Sequence, residues 1–269
     1  MTYSDKIKVH LKNYKTENFP NLSDGIWKNN KQHYQHILPE INKYENILRP
    51  YRKKTITFVD KCNIKLHSDF HHLNSSQAMC LNFFFPLFYE KKLEIIIDLL
   101  GFTNEKVNYK EVYFEKTGLE VQYGRKPTSF DFYFETISEK KIYFEIKYTE
   151  SDFGKSKINT DKYNCVYANF LKPINSQFHD KQKFYNNFQI LRNLIHLNEN
   201  SYVIFIYPKD NKNIKKNAER VKADFLMPNF HNHFYAMTWE ECIDKVSNFI
   251  FDGNLKVQLD DFRKKYIPD

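Results

Sequence analysis

The chain has 269 residues, which is enough for one large domain or for a core with an extension, and its net charge of +8 favours a polyanionic partner such as nucleic acid. The first 15 residues are polar, and the longest apolar stretch, Cys80 to Phe88, is far shorter than the ~18–20 residues of a membrane span, so neither a signal peptide nor a membrane anchor is expected. The four cysteines form no C-x-x-C pair, and three of them, Cys80, Cys165 and Cys242, lie in apolar surroundings, whereas Cys62 does not. This pattern predicts reduced core cysteines in a cytoplasmic protein.

Residues 1–70 are polar and charged with scattered helical signals, and nothing marks a linker after them. We therefore expect an N-terminal helical extension that packs on a core of residues 71–269. The core should begin with a helix that is capped at Asn74 or Ser75 and is broken or kinked at Pro86. A second helix is predicted from Phe88 to Leu100, with Gly101 as its C-cap.

The second predicted helix carries Glu90, Glu94 and Asp98 at i, i+4 spacing, beside an apolar stripe. A solvated acidic face explains this pattern as well as a functional one. The functional alternative is that one of these acids, Glu94, reaches a metal site, a role for which Glu120 competes.

Two short runs that alternate with period two predict adjacent β-strands, Ser129–Glu135 and Lys141–Tyr148, after a first strand over Val112–Tyr123. In the first run the phenylalanines share one face and Asp131 takes the other. In the second run Glu145 and Lys147 share the polar face. If Ser138–Lys140 closes a hairpin between the runs, Asp131 lies opposite Lys147 and diagonal to Glu145.

The rest of the chain alternates helices with strands. A basic loop carries Lys155 and Lys157, and the helix that follows, Phe178–Leu197, carries Gln189 and Arg192 one turn apart. The remaining predicted elements are a strand at Ser201–Tyr207, a helix at Asn213–Phe225, a strand at His233–Met237 and a helix from Thr238 to Phe251. This order predicts an α/β fold with a mixed central sheet flanked by helices.

Two carboxylates and an ammonium that converge on one patch suit a Mg²⁺-dependent phosphodiesterase, because a hard cation needs oxygen ligands and the attacked phosphate gains charge. The alternative is a solvated sheet face with a cross-strand ion pair. Asp-(x)n-Glu-x-Lys on adjacent strands resembles the PD-(D/E)XK nuclease superfamily. Four further segments resemble a bacterial group of restriction endonucleases in it: "SSQA" with "N" and "PL" in His72–Leu87, "E…GR…D" in Glu120–Asp131, "EvK-TE--FG" in Glu145–Gly154 and "Q--RN" in Phe188–Asn193.

The resemblance implies a restriction-endonuclease-like core that uses Mg²⁺, with Mn²⁺ as a substitute, to hydrolyse DNA in restriction or another defence system. Asp131 and Glu145, with Glu94, would bind the metal, and Lys147 would orient the water. Gln189 would brace the site. Phosphate contacts are expected from Arg125, Lys126, Lys155, Lys157 and Arg192.

The resemblance leaves several alternatives open. The chain could be a structure-specific repair or recombination nuclease of the same superfamily, a non-catalytic nucleic-acid-binding module, or an enzyme that acts on RNA. A homodimer and a partner methyltransferase are expected only by analogy with restriction enzymes.

Overall fold

The computed structural model describes residues 1–102, 104–124 and 128–268. The chain divides into two compact units, one formed by Met1–Gly101 with Trp239–Asp269 and the other by Phe102–Thr238. The division at residue 70 that the sequence suggested stays a prediction.

Ten α-helices are present in the described residues: α1 (Tyr3–Asn18), α2 (Arg52–Lys61), α3 (Ser76–Tyr89), α4 (Glu94–Leu99), α5 (Thr160–Cys165), α6 (Lys181–Asn186), α7 (Phe188–Leu194), α8 (Lys212–Arg220), α9 (Trp239–Ser247) and α10 (Gly253–Tyr266). Seven strands lie in the same ranges: β1 (Gly25–Trp27), β2 (Gln32–Tyr34), β3 (Val107–Thr117), β4 (Ser129–Thr136), β5 (Lys141–Ile146), β6 (Ser201–Tyr207) and β7 (Phe234–Thr238). Short 3₁₀ turns and one π-helical turn, Val221–Phe225 after α8, complete the chain.

The predicted α/β fold with a mixed central sheet is confirmed. The sheet of the second unit has the order β3-β4-β5-β6-β7, with antiparallel pairing from β3 to β5 and parallel pairing from β5 to β7. Helices α5 to α8 contribute to one buried apolar cluster with side chains of β6, which covers one face of the sheet. This face also carries the side chains of the candidate site.

Helix α3 begins at the predicted cap, since the Ser75 hydroxyl accepts a hydrogen bond from the Ala78 amide at 3.3 Å. The predicted break at Pro86 is wrong, because the helix continues to Tyr89, and the alternative of a kink there stays a prediction. Proline has no N–H to donate to the carbonyl of Asn82, four residues earlier. The side-chain amide of Gln258, on α10, donates to that carbonyl at 2.7 Å and so satisfies the group that Pro86 leaves free.

Other predicted boundaries also differ. The helix expected over Phe88–Leu100 is only α4, because Lys91 has a left-handed backbone (φ 52°) and ends the preceding helix. Glu90 therefore lies outside the helix of Glu94 and accepts a hydrogen bond from the Tyr51 hydroxyl instead. The helix expected over residues 178–197 is split at Asn187 (φ −121°, ψ 33°) into α6 and α7.

All four cysteines are free, and Cys165 is exposed rather than in the core as predicted. No helix in the described part of the chain combines the length and the hydropathy needed to cross a membrane.

The pairing of Gln258 with the Asn82 carbonyl predicts a non-additive pair of substitutions. Gln258→Leu should lower the free energy of unfolding by about 1–3 kcal/mol, because it leaves a buried carbonyl without a donor. In the double variant Pro86→Ala/Gln258→Leu the loss should be smaller, since the alanine N–H can donate to the same carbonyl. Urea unfolding of the wild type, both single variants and the double variant measures the coupling. Additive losses would show that Gln258 does not replace the missing donor.

Candidate active site

The hairpin between β4 and β5 brings Asp131 close to Glu145, whose charge acts on the Asp131 carboxyl. Tyr133 pairs with Tyr143, and Phe132 pairs with Phe144, so the register that leads to the site directs Asp131 towards Glu145. The predicted alignment of Asp131 with Lys147 is therefore wrong by two residues. The turn begins one residue earlier than predicted. The Thr136 amide donates a hydrogen bond to the Lys140 carbonyl, and Glu139 between them has a left-handed backbone with φ at 65°.

The first residues of β4 depart from simple alternation. Phe130 packs against Tyr143 and His196, at ring-centroid distances of 4.7 and 4.8 Å, on the face that carries Glu145. Phe132 instead packs against Phe144 on the other face, so the prediction that Phe130 shares a face with Phe132 is wrong. Ladder pairing between β4 and β5 ends at Phe132, and beyond it the Asp131 carboxylate accepts a hydrogen bond from the Ile146 amide at 2.7 Å.

Glu145 lies between two cations. Its Oε1 is 2.9 Å from Lys147 Nζ, and its Oε2 is 3.8 Å from a terminal nitrogen of Arg192. All three side chains are buried, with Glu145 5% and Lys147 6% exposed. The Lys147 ammonium also donates to Gln189 Oε1 at 3.0 Å. Asp131 and Gln189, which border this group, are only half-buried.

The charges give the two acids opposite pKa shifts. Burial, followed by the neighbouring charges of Glu145 and Glu115, raises the pKa of Asp131 well above its usual range. Burial alone would also raise the pKa of Glu145, but the Lys147 ammonium and the Arg192 guanidinium outweigh it and lower that pKa. The pKa of Lys147 is raised, since the attraction of Glu145, Glu150 and Asp131 outweighs the effect of burial.

The donor set fits a hard divalent cation that completes its coordination with substrate and water. Within residues 1–102, 104–124 and 128–268, no group of three or more His, Cys, Asp or Glu side chains is arranged to hold a metal ion. Mg²⁺ is often held by one or two carboxylates, with the other positions taken by water and substrate phosphate. Asp131 and Glu145 supply such a pair.

Neighbouring residues that the sequence left unassigned fix the end of β5. Glu150 accepts a hydrogen bond from the Tyr148 amide at 2.6 Å. The side-chain amide of Asn211, at the N-cap of α8, donates to the carbonyls of Tyr148 and Glu150 at 3.2 and 2.9 Å. Only the N-cap pattern of Asn211 is readable from the sequence, because its other partners lie about 60 residues away.

Glu115 was also missed. It lies on β3 between Phe114 and Lys116, which pair with Phe132 and Phe130, so it faces the position of Asp131. Its backbone is left-handed at φ 55°, a strained conformation for this residue type. Ser129 donates a hydrogen bond to its carboxylate at 2.7 Å. The sequence offered no signal for it, because β3 also carries Lys110, Glu111 and Lys116.

The two candidates for an accessory acid lie in different surroundings. Glu120 is 1% exposed, and its Oε1 accepts hydrogen bonds from Thr128 and, at 3.1 Å, from Tyr167. Lys162 lies 3.7 Å from the same oxygen. Glu94 is the first residue of α4, in the other compact unit. A metal-binding role for either one stays a prediction.

The predicted phosphate contacts are placed unevenly. Lys155 and Lys157 are exposed on the loop after β5, whereas Arg192 is buried against Glu145. Arg125 and Lys126 lie outside the described residues. The helix α7 thus carries both Gln189 and Arg192 to the site, each against a different member of the Glu145–Lys147 pair.

One family matches almost the whole chain. The match covers residues 8–267, and the family is described as Restriction Endonuclease associating with ARP. The chain belongs to this family. No curated protein and no solved structure matches it. Membership supports a restriction-endonuclease-like protein with a nuclease role in restriction.

The opposite pKa shifts of the two acids predict opposite effects on stability. Asp131→Asn should raise the melting temperature at neutral pH, because the variant no longer holds a charge that the folded state disfavours. A carboxyl whose pKa is raised on folding stabilises the protein below its unfolded pKa, and this contribution is lost as pH rises through the folded pKa. The gain should therefore shrink as pH falls towards about 4.

Glu145→Gln should do the reverse and lower the free energy of unfolding by about 3–5 kcal/mol, because it leaves Lys147 and Arg192 as buried cations without their carboxylate. Melting curves of both variants from pH 4 to pH 8 measure the two effects. A loss of stability in Asp131→Asn at pH 7, equal to that in Glu145→Gln, would contradict the assigned charges.

Proposed function

We propose that this protein is a Mg²⁺-dependent endonuclease of the PD-(D/E)XK type that hydrolyses DNA phosphodiester bonds in restriction or another defence system. One observation carries the proposal: Asp131 lies close to Glu145 where the β4–β5 ladder ends, with the Lys147 ammonium 2.9 Å from Glu145. The family's description as a restriction endonuclease supports the same reading.

Asp131 and Glu145 are the residues that would hold the metal. Bound there, Mg²⁺ would supply Lewis-acid polarisation of the scissile phosphate and a lower pKa for a coordinated water. Glu145 is ready for this role, because its lowered pKa keeps it ionised before a cation arrives. Mn²⁺ is expected to substitute, since it also favours oxygen ligands.

Lys147 would stabilise the negative charge that develops on the attacked phosphate. Its raised pKa keeps the ammonium protonated at neutral pH. Gln189 Oε1 accepts a hydrogen bond from this ammonium at 3.0 Å and so helps to fix its position. We assign Arg192 to holding Glu145 in place, because its guanidinium is buried against that carboxylate.

DNA is the proposed substrate, and a basic chain suits it because cationic side chains that neutralise phosphates release counterions. Lys155 and Lys157 on the exposed loop, with Arg125 and Lys126, are the proposed phosphate contacts. Action in the cytoplasm, assembly as a homodimer and a partner methyltransferase belong to the same proposal.

Incubation of the purified protein with varied duplex DNA and Mg²⁺, followed by mapping of the ends, tests this function. We expect cleavage with 5′-phosphate and 3′-hydroxyl ends. Lys147→Met should abolish detectable cleavage, since loss of one electrostatic contact to the transition state costs on the order of 10²–10³ in rate. Asp131→Ala and Glu145→Ala should do the same.

Lys141→Met is the matched control, because Lys141 is an exposed lysine at the start of β5, the strand that Lys147 directly follows. Circular dichroism of each variant checks that the fold is retained. Cleavage by folded Lys147→Met at the wild-type rate would overturn the mechanism. Cleavage of single-stranded RNA but not of duplex DNA would change the substrate.

A further inference from the structure

A polar groove opens beside the candidate active site, within the second compact unit. The loop after β5 forms one wall through Gly154 and Lys155, the start of α7 contributes Asn187, and α8 closes the far side with Asn217 and Arg220. Its volume is about 430 Å³, within the range of roughly 300–1,000 Å³ that is usual for ligand sites.

The walls of this groove are in direct contact with the proposed catalytic residues. Phe153 lines the groove, and its ring centroid is 5.2 Å from Lys147 Nζ. Gly154 also lines it, and its backbone is so close to Gln189 that a Cβ at this position would lie 3.1 Å from the Gln189 amide. With φ at 84°, Gly154 also has a backbone conformation that favours glycine. A molecule in the groove would therefore adjoin the Lys147–Gln189 pair.

The polar groups of the groove suit an anionic ligand that also has neutral hydrogen-bonding edges. Lys155 and Asn217 make no side-chain hydrogen bond or ion pair in the part of the chain that the structure describes, so both are free to bind. Arg220 adds a second cation, whose Nε forms a salt bridge with Asp224 Oδ2 at 2.7 Å. Asp152 is the one acid among the lining residues, and its Oδ1 accepts a hydrogen bond from the Gly154 amide at 2.6 Å.

We propose that this groove binds a nucleotide of the nucleic-acid strand, next to the linkage that is cut. Lys155 and Arg220 contact its phosphate, and the Asn217 amide contacts the sugar or the base edge. The groove is thus a binding site for the strand adjoining the metal site, and α8 is a nucleic-acid contact. This inference rests on the proposed nuclease function and deepens it.

Binding of a fluorescent duplex DNA, measured by anisotropy with Ca²⁺ in place of Mg²⁺, tests the groove. Arg220→Gln and Lys155→Gln should each weaken binding roughly tenfold and lower the salt dependence of binding by about one phosphate contact. Lys216→Gln is the matched control, because it removes the same charge from an exposed position of α8 outside the groove. It should leave the affinity within about twofold of wild type.

A second pair of variants removes a side-chain amide that could bind the ligand, without a change of charge. Asn217→Leu should weaken DNA binding roughly tenfold. Asn213→Leu, one turn earlier on α8 and outside the groove, should not. Melting temperatures close to wild type for all five variants would show that any losses come from binding.

The outcomes separate this inference from the proposed function. Wild-type protein that cuts duplex DNA, with groove variants that bind it as tightly as their controls, would overturn the groove and leave the nuclease intact. Weakened DNA binding in the groove variants, with unchanged binding in the two control variants, supports the groove as a binding site. Wild-type protein that neither binds nor cuts DNA would overturn both.

Discussion

The ionised Glu145 carboxylate, buried between Lys147 and Arg192, is the constraint around which the second compact unit is arranged. Removing a carboxylate and two cations from water is costly, and the cost is offset only when each charge has a well-placed partner. Gln189 completes the environment of Lys147, and the carbonyl of Arg192 accepts from the neutral imidazole of His196. Helix α7 is therefore held against the sheet by polar as well as apolar contacts.

The buried Glu145 group lies where the β4–β5 ladder ends. Pairing stops at Phe132, and from there the Asp131 carboxylate turns to the Ile146 amide instead of continuing the alternation. The left-handed residue Glu115 on the neighbouring strand lies at the same level, so two adjacent strands depart from regular geometry at one point. Irregular backbone of this kind often collects at functional sites, where surrounding contacts hold it.

A second buried polar cluster supports the loop that leads into β4. Glu120 accepts from Thr128 and Tyr167, and the Gly118 amide donates to the Thr128 carbonyl at 2.7 Å, so both ends of this loop are tied together. His196 is neutral in this cluster, because burial lowers its pKa to about 4 and the Leu119 amide donates to its Nε2. The same His196 ring contacts the carbonyl of Arg192 through its Nδ1, so this cluster and the contact that holds Arg192 share a residue.

The sequence by itself determined the α/β class, the strands of Asp131 and Glu145, a helix cap at Asn74 or Ser75 and the strand at Ser201–Tyr207, because hydrophobic period and capping chemistry are local properties. Only the tertiary structure decided the register that directs Asp131 towards Glu145, since one left-handed turn residue shifts a hairpin by two positions. It alone decided that helix α3 passes Pro86, because Gln258 is 172 positions further along the chain. It also buried Arg192 against Glu145 and brought Asn211 to the end of β5. These pairings depend on which distant groups meet in three dimensions, and no short pattern in the chain records that.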